Sequence, residues 1–305
     1  MLIDCHTLSP SQKQYWLQHL VGPRPICFAS TVDKAGNVNL SPFSFFNLFS
    51  VESPIVIFSP SRRVRDNTTK HTLQNVIEVP EVVINMVAYD MVQQVSLASS
   101  DYEKGVDEFM KAGFTKERAA IVRPPMVRES PAQLECEVME IKSLGNKGGA
   151  GQLVICEVLC AHIKEHLLDA DKLINAKQLD LVARMGDNLY CRANEESIFE
   201  VKKPARPGIG IDSLPAHIRF GRVLTGNHLG QLAAVPVLPE RDPNYKNEMI
   251  EALHCFFGGT ERQKRVEDYA ISLLEKNKVT EAWQVLLSIS PKNEHDRNTR
   301  QHTNI

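Results

Sequence analysis

Positively charged and hydroxyl side chains are concentrated in residues 58–76, FSPSRRVRDNTTKHTLQNV. Such a set is typical of a phosphate monoester site, because guanidinium groups donate paired hydrogen bonds to phosphate oxygens and hydroxyls add further donors. The free N–H groups of a helix start would complete it. The alternative is a solvated loop whose arginines pair with nearby acids. The charged candidates are Arg62, Arg63, Arg65 and Lys70, and the hydroxyl candidates are Ser59, Ser61, Thr68, Thr69 and Thr72.

A second candidate stretch, NLSPFSFFNLFS at residues 39–50, mixes phenylalanines with small polar side chains. The polar residues do not alternate cleanly with the aromatic ones. Backbone donors and small hydroxyls of this kind suit a planar heteroaromatic ligand, with the phenylalanines forming the walls of its site. The alternative is that the rings belong only to the core. The residues are Phe43, Phe45, Phe46 and Phe49, with Ser41, Ser44, Asn47 and Ser50.

Several familiar motifs are absent or incomplete in the sequence. GIGIDS at residues 208–213 begins like a dinucleotide fingerprint, but Ser213 takes the place of its third glycine. The sequence contains neither a GxxxxGK[ST] phosphate loop nor a GxSxG nucleophile elbow. HIKEH at residues 162–166 matches a zinc-peptidase pattern, which requires a helix. On a predicted strand His162 and His166 would lie about 13 Å apart, so this motif predicts no metal site.

Composition excludes several classes of protein. The formal net charge of -2 gives no general attraction to nucleic acid or to an anionic membrane. The sequence contains no apolar run of membrane-spanning length and no signal-peptide pattern at its start, so we expect a cytoplasmic protein. Its 7 cysteines are scattered without a CxxC pair, which favours free thiols over disulfides or a cysteine zinc site.

The residues before position 200 are expected to form strands with few helices between them. This pattern predicts a mainly β fold with helices (α+β) and an antiparallel barrel, since a parallel sheet would need regular helical crossovers. One helix is expected after residue 66, with Thr68 or Thr69 as N-cap and Leu73, Val76 and Ile77 on its apolar face. A first strand at residues 26–32 is followed by a turn at 33–37 and a return strand from 38 to 51. Further strands are predicted at 54–59, 81–88, 133–144 and 152–166. A second helix is predicted near 90–99.

The sequence changes character near residue 200. A stretch rich in proline and glycine begins there, and helices are predicted at 245–257, 261–276 and 279–289. Residues 291–305 have almost no apolar content and are expected to be a frayed tail. We therefore predict two domains, with boundaries at 1–200 and 201–305.

The first 200 residues resemble the flavin reductase-like family, which includes flavoredoxin-like proteins. The similarity lies in RPICFASTVDKAGNVNLSPFSFFNLFSVESPIVIFSPSRR, TKHTLQNV, EVVINMV, VDEFMKAGFT, LECEVMEI, LVICEVLCAHI and ARMGDNLY, in that order, over roughly residues 20–195. The resemblance implies an FMN-binding split β-barrel, a homodimer with FMN near the subunit interface, and an FMN-dependent oxidoreductase that uses NADH or NADPH. The alternatives are an FMN-binding electron carrier without its own NAD(P)H turnover and a member that has lost its cofactor.

The resemblance also implies roles for individual residues. No side chain is expected to act as nucleophile or base, because the cofactor carries the redox chemistry. The isoalloxazine ring would lie against the segment Ser44, Phe45, Phe46 and Asn47. The ribityl and phosphate site would begin at Ser59, Ser61 and Arg62 and would be completed by Thr68, Thr69, Lys70 and Thr72. Near the cofactor would lie two further residues, Asn85 and Arg184.

This sequence departs from the family pattern at two positions. His71 stands where an aspartate is usual, and Asp187 replaces a glycine between Arg184 and Tyr190. The resemblance does not extend to the region after residue 200. That region is equally compatible with a lid over the flavin and with an additional dimer contact.

Overall fold

The computed structural model describes residues 1–204 and 206–289. The chain divides into two units, Met1–Phe199 and Glu200–Ile305. The predicted frayed tail lies outside the described residues. Within the described part of the chain, no helix has both the length and the apolar character needed to cross a membrane.

The first unit is built mainly from antiparallel strands. Seven of them form one sheet in the order β3-β2-β6-β9-β10-β5-β4, and β1, β11 and β12 form a smaller one. The strands are β1 (Arg24–Pro25), β2 (Cys27–Val32), β3 (Val38–Phe43), β4 (Phe46–Ser50), β5 (Ile55–Phe58), β6 (Glu81–Asn85), β7 (Lys116–Glu117), β8 (Met126–Val127), β9 (Ala132–Ser143), β10 (Gln152–Ile163), β11 (Leu181–Gly186) and β12 (Leu189–Ala193). The helices are α1 (Pro10–Leu20), α2 (His71–Glu78), α3 (Val92–Ala98) and α4 (Glu108–Ala112).

The connection between β3 and β4 makes the large sheet curl. These strands are its two edges, yet only Ser44 and Phe45 separate them in the chain. Such a link spans at most about 11 Å, so the two edges must approach each other. The prediction of one return strand over residues 38–51 is therefore wrong. After Phe43 the chain leaves β2 and pairs instead with β5, on the opposite edge.

Helix α2 packs against the inner face of the curled sheet. Its Leu73 and Val76 are buried in a cluster with Phe43 and Phe58. Other apolar residues on the opposite face of β2, among them Phe28, pack with residues of α3 and α4 in a second cluster. The sheet is thus covered on both faces, which agrees with the predicted α+β class.

Two details predicted for α2 are wrong. The helix begins at His71 with Lys70 as its N-cap residue, and no side chain caps it. Thr68 lies two residues before the cap position, and its hydroxyl donates to the Asp66 carboxylate instead. Ile77 is 64% exposed, since it lies on the face of α2 that points away from the sheet.

The second unit is helical and has its own core. Trp283 is fully buried there, and its indole N–H donates to the Leu232 carbonyl oxygen at 3.2 Å. The three predicted helices are present; those predicted at 245–257 and 279–289 are shorter, and the one predicted at 261–276 begins and ends two residues earlier. Two further helices were not predicted: one has only 4 residues, and in the other Gly226 and Gly230 weaken the sequence signal. The helices are α5 (Ala216–Arg219), α6 (Gly226–Ala233), α7 (Glu248–Phe256), α8 (Gly259–Leu274) and α9 (Val279–Leu287).

Candidate functional site

A small, open polar cleft lies at the amino-terminal end of α2. Strand β3 forms one wall, and the segment that follows α3 forms another. The cleft collects residues from four separate parts of the chain, so the fold of the first unit creates it. Its polar lining includes Asn39, Ser41, Arg63, Lys70, Thr72 and Asp101.

The segment from β5 to α2 is folded by its own side chains. The Asp66 carboxylate accepts hydrogen bonds from the Thr68 backbone N–H at 2.9 Å and the Thr68 hydroxyl at 2.7 Å. The Arg63 guanidinium donates to the Thr68 hydroxyl at 3.1 Å and to the Thr69 carbonyl at 2.6 Å. Hydrogen bonds from Thr68 hold the pKa of Asp66 below its usual range, so this carboxylate is ionised at neutral pH. Asp66 and Thr68 therefore shape the loop that places Lys70 in the cleft.

The positive charges of this segment are not equivalent. Asp101 pairs with Arg63 at 2.8 Å and also with Arg65. Within the described residues, neither Arg62 nor Lys70 has an acidic partner. Lys70 is half-buried, and burial followed by repulsion from Arg63 lowers the pKa of its ammonium group. Lys70 is thus the cation of the cleft that is left to interact with an anion from outside.

Thr72 and Asn39 form the floor of the cleft. The Asn39 side-chain amide donates to the Thr72 hydroxyl oxygen at 2.9 Å, and both residues are buried. Because that oxygen accepts from Asn39, the hydroxyl proton of Thr72 remains available for donation to a ligand.

His71 lines the same cleft. Burial, and then the charges of Arg63 and Lys104, lower the pKa of its imidazole below the usual value. The ring is therefore neutral at pH 7, and the position where the family has an acid carries no charge here.

The glycine-rich hairpin loop between β9 and β10 packs against the start of the basic segment. The Arg62 N–H donates to the Ala150 carbonyl, and the Gly149 N–H donates to the Arg62 carbonyl, each at 2.9 Å. A Cβ on Gly148 would lie 2.9 Å from the Val64 carbonyl oxygen, so this approach requires glycine. The Arg62 side chain donates to Asn67 at 2.8 Å. Arg62 thus helps to join the two loops.

Ser59 stands where the basic segment leaves β5. Its N–H donates to the Phe45 carbonyl at 2.8 Å, which places it beside the link between β3 and β4. Its buried hydroxyl has no hydrogen-bond partner within the described chain. A Cβ on Gly151 would lie 2.7 Å from this hydroxyl. The aromatic stretch and the basic segment therefore meet at Ser59.

The structure brings some of the predicted residues together and separates others. Lys70 and Thr72 share the cleft with Arg63 and Ser41, which the sequence offered as candidates without a role in the cofactor site, and with Asn39, which was not a candidate. The alternation of Asn39, Ser41 and Phe43 along β3 was the available signal for Asn39.

Asn85 and Arg184 lie outside this lining. The Asn85 amide donates to the Phe28 carbonyl at 2.9 Å and accepts from the Val127 N–H at 2.8 Å, so both of its ends are used within the protein. Arg184, on β11, donates to the Tyr190 hydroxyl and is the cross-strand neighbour of Arg24. Asn85 therefore stabilises the surrounding strands, whereas Arg184 stands beside a second positive charge.

Comparison with solved structures defines the class of protein first. Nitrilotriacetate monooxygenase component B from Bacillus cereus has a TM-score of 0.61 and 25% sequence identity, covering 66% of this chain and 98% of that one. A Shewanella frigidimarina protein described as a flavin reductase with a split barrel domain has a TM-score of 0.56 and 22% identity, covering 66% and 100%. The first unit is therefore a split barrel.

The family follows from the sequence profile of the flavin reductase like domain, which matches residues 22–180. The chain belongs to this family, and the predicted resemblance is confirmed. An uncharacterized protein of Halalkalibacterium halodurans is 32% identical over 206 residues, covering 67% of this chain and 97% of the relative. One from Aquifex aeolicus is 32% identical over 182 residues, covering 60% and 90%. The family profile ends before the second unit begins.

Proposed function

We propose that the protein is an FMN-dependent oxidoreductase that receives electrons from NADH or NADPH. The observation that carries this proposal is the half-buried Lys70 ammonium group, which lacks an acidic partner in the described chain and lies in one cleft with Thr72. A phosphate monoester would supply the missing negative charge. Membership of the flavin reductase like domain family supports FMN as the molecule that carries this phosphate.

The donor set fits FMN. Lys70 would hold the phosphate by a charge-assisted hydrogen bond, and the Thr72 hydroxyl would donate a neutral one. Ser44 and Phe45, in the link between β3 and β4, and Asn47, in β4, offer a partly exposed aromatic and polar surface for the flavin ring. Ser59, with its unpartnered hydroxyl, lies between the two regions. The set thus combines a cationic end with an aromatic end, as FMN requires.

Bound FMN would supply the capacity to accept a hydride and pass electrons on. The protein's own residues would bind and orient. Lys70 and Thr72 would fix one end of the ligand, while the backbone at Ser44 and Phe45 would support the other. With His71 neutral at pH 7, the cleft keeps its positive charge on Lys70 without a second titrating cation at this position.

We also propose that the protein is a homodimer. Strand β4 is an edge strand of the large sheet, and Leu48 and Phe49 are 56% and 64% exposed. Exposed apolar side chains on a sheet edge favour pairing with another chain. Light scattering should give twice the chain mass, and Leu48→Lys with Phe49→Lys should give the monomer mass.

Anaerobic mixing of the FMN-loaded protein with NADH or NADPH tests the enzymatic proposal. Bleaching of the flavin absorbance by either donor is expected. An FMN-binding electron carrier would bind FMN yet stay oxidised with both donors, although dithionite would reduce it. Protein that remains colourless after incubation with FMN and removal of free ligand would contradict flavin binding itself.

A further inference from the structure

Three potential metal ligands converge on one face of the β9–β10 ribbon, formed by Ala132–Ser143 and Gln152–Ile163. Cys160 and His162 are two residues apart on β10, so their side chains share a face. Glu135 on β9 is the direct cross-strand partner of Cys160. A register shift between Val158 and Cys160 creates this pairing. One ligand atom from each of the three residues lies within 4.8 Å of the others.

Glu135 is held in place as a charged ligand. Its carboxylate is fully buried and accepts the backbone N–H groups of Ala120, Ile121 and Val122 at 2.7, 2.6 and 2.9 Å. These donors favour the ionised carboxylate and orient it before any ion arrives, as supporting hydrogen bonds do for metal ligands.

The separation between the sulfur and nitrogen ligands is close to that of a tetrahedral zinc site. Bonds of about 2.3 Å to sulfur and about 2.0 Å to nitrogen place those ligand atoms about 3.6 Å apart. Cys160 Sγ lies 3.7 Å from His162 Nε2. The 2.6 Å separation between His162 Nε2 and Glu135 Oε1 would have to open to about 3.3 Å. That movement falls on His162, whose side chain is 33% exposed.

We propose that Glu135, Cys160 and His162 bind a Zn²⁺ ion, with water at a fourth, open position. Thiolate, imidazole and carboxylate form a ligand set that zinc accepts. Zinc would displace the thiol proton of Cys160, and the imidazole proton would move from Nε2 to Nδ1. The Glu135 carboxylate and the Cys160 thiolate then balance the charge of the ion. The site shares His162 with the HIKEH motif but does not use His166, which is exposed in a short turn.

The competing arrangement is a plain hydrogen bond between His162 and Glu135 beside a free thiol. The two arrangements differ in their dependence on sulfur. A hydrogen-bonded pair does not use Cys160, whereas the zinc site loses its thiolate when Cys160 is replaced. Cys160 is half-buried, so serine should be accommodated without loss of the fold.

The test is titration of the full-length, metal-stripped protein with Co²⁺, followed by competition with Zn²⁺. We expect stoichiometric binding with a sulfur-to-cobalt charge-transfer band that Zn²⁺ abolishes. Cys160→Ser should remove the band and weaken binding by at least about tenfold. The control is Cys191→Ser, which removes another half-buried thiol of the same unit. It should leave the charge-transfer band and the Co²⁺ affinity unchanged.

Two results would overturn the proposal. One is the absence of stoichiometric Co²⁺ and Zn²⁺ binding to the wild-type protein, measured by metal analysis after gel filtration. The other is a charge-transfer band that persists in Cys160→Ser. Circular dichroism and thermal melting of the metal-free variants verify that each remains folded. The result is independent of flavin binding, since no flavin is present in the titration.

Discussion

Replacement of Lys70 by alanine should weaken FMN binding much more than riboflavin binding. Lys70 is half-buried in the cleft and lacks an acidic partner within the described residues, so its charge is available to a phosphate. A charge-assisted hydrogen bond contributes about 1.5 to 3 kcal/mol. Because 1.4 kcal/mol is a factor of ten in Kd, the expected loss is roughly 10- to 150-fold. Partial exposure of the side chain places the expectation toward the lower end.

Quenching of flavin fluorescence measures both affinities under the same conditions. Riboflavin lacks the phosphate, so Lys70→Ala should remove only uncharged contacts with it. Its Kd should therefore change by less than about twofold. Lys264→Ala is a matched control, since it removes the same charge from an exposed site on α8 in the second unit. The difference between FMN and riboflavin should shrink as salt increases, because exposed parts of the interaction are screened.

Equal loss of FMN and riboflavin affinity in Lys70→Ala would show that the phosphate does not bind at this cleft. Unchanged affinity for both ligands would refute the assignment equally. Thermal melting must show that the variant is folded before either conclusion is drawn.

The pH dependence of FMN binding gives a further check. Burial and Arg63 lower the pKa of Lys70, so FMN affinity should fall at alkaline pH somewhat below 10.5.

Three further perturbations address the surroundings of the site. Asp101→Asn removes the acid that neutralises Arg63 in the cleft and Arg65 outside it, so it should tighten binding of FMN, but not of riboflavin, by severalfold. Weaker FMN binding in the same fluorescence assay would instead show that Asp101 positions the site. Gly148→Ala should destabilise the protein by about 1 to 3 kcal/mol in urea unfolding, because the added Cβ would lie too close to the backbone of Val64. The control Gly230→Ala, which adds a Cβ in open space, should not destabilise it. Truncation after residue 199 should leave a folded protein that binds FMN, since the second unit has its own core. An insoluble product would show that the barrel needs residues 200–305 for its stability.

Local sequence patterns predicted most strands of the large sheet correctly. The alternation and turn residues between 26 and 43 define a hairpin, and β9 and β10 flank the glycine-rich loop as expected. These elements follow from hydrophobic period and turn chemistry, which act over a few residues. The same reasoning failed for α6, because glycines inside a helix carry little local signal and the helix depends on packing around Leu232.

The sequence by itself determined the candidate donors, the aromatic stretch and the antiparallel character of the fold. Only the tertiary structure decided which charges are neutralised. Asp101 is 38 residues from Arg63, and no local pattern pairs them. Only the tertiary structure placed Asn39 and Thr72 in contact and joined the edges of the curled sheet at Ser44 and Phe45. Residues far apart in the sequence interact only after the chain has folded, because the strength of each interaction depends on the distance between the groups and on their burial.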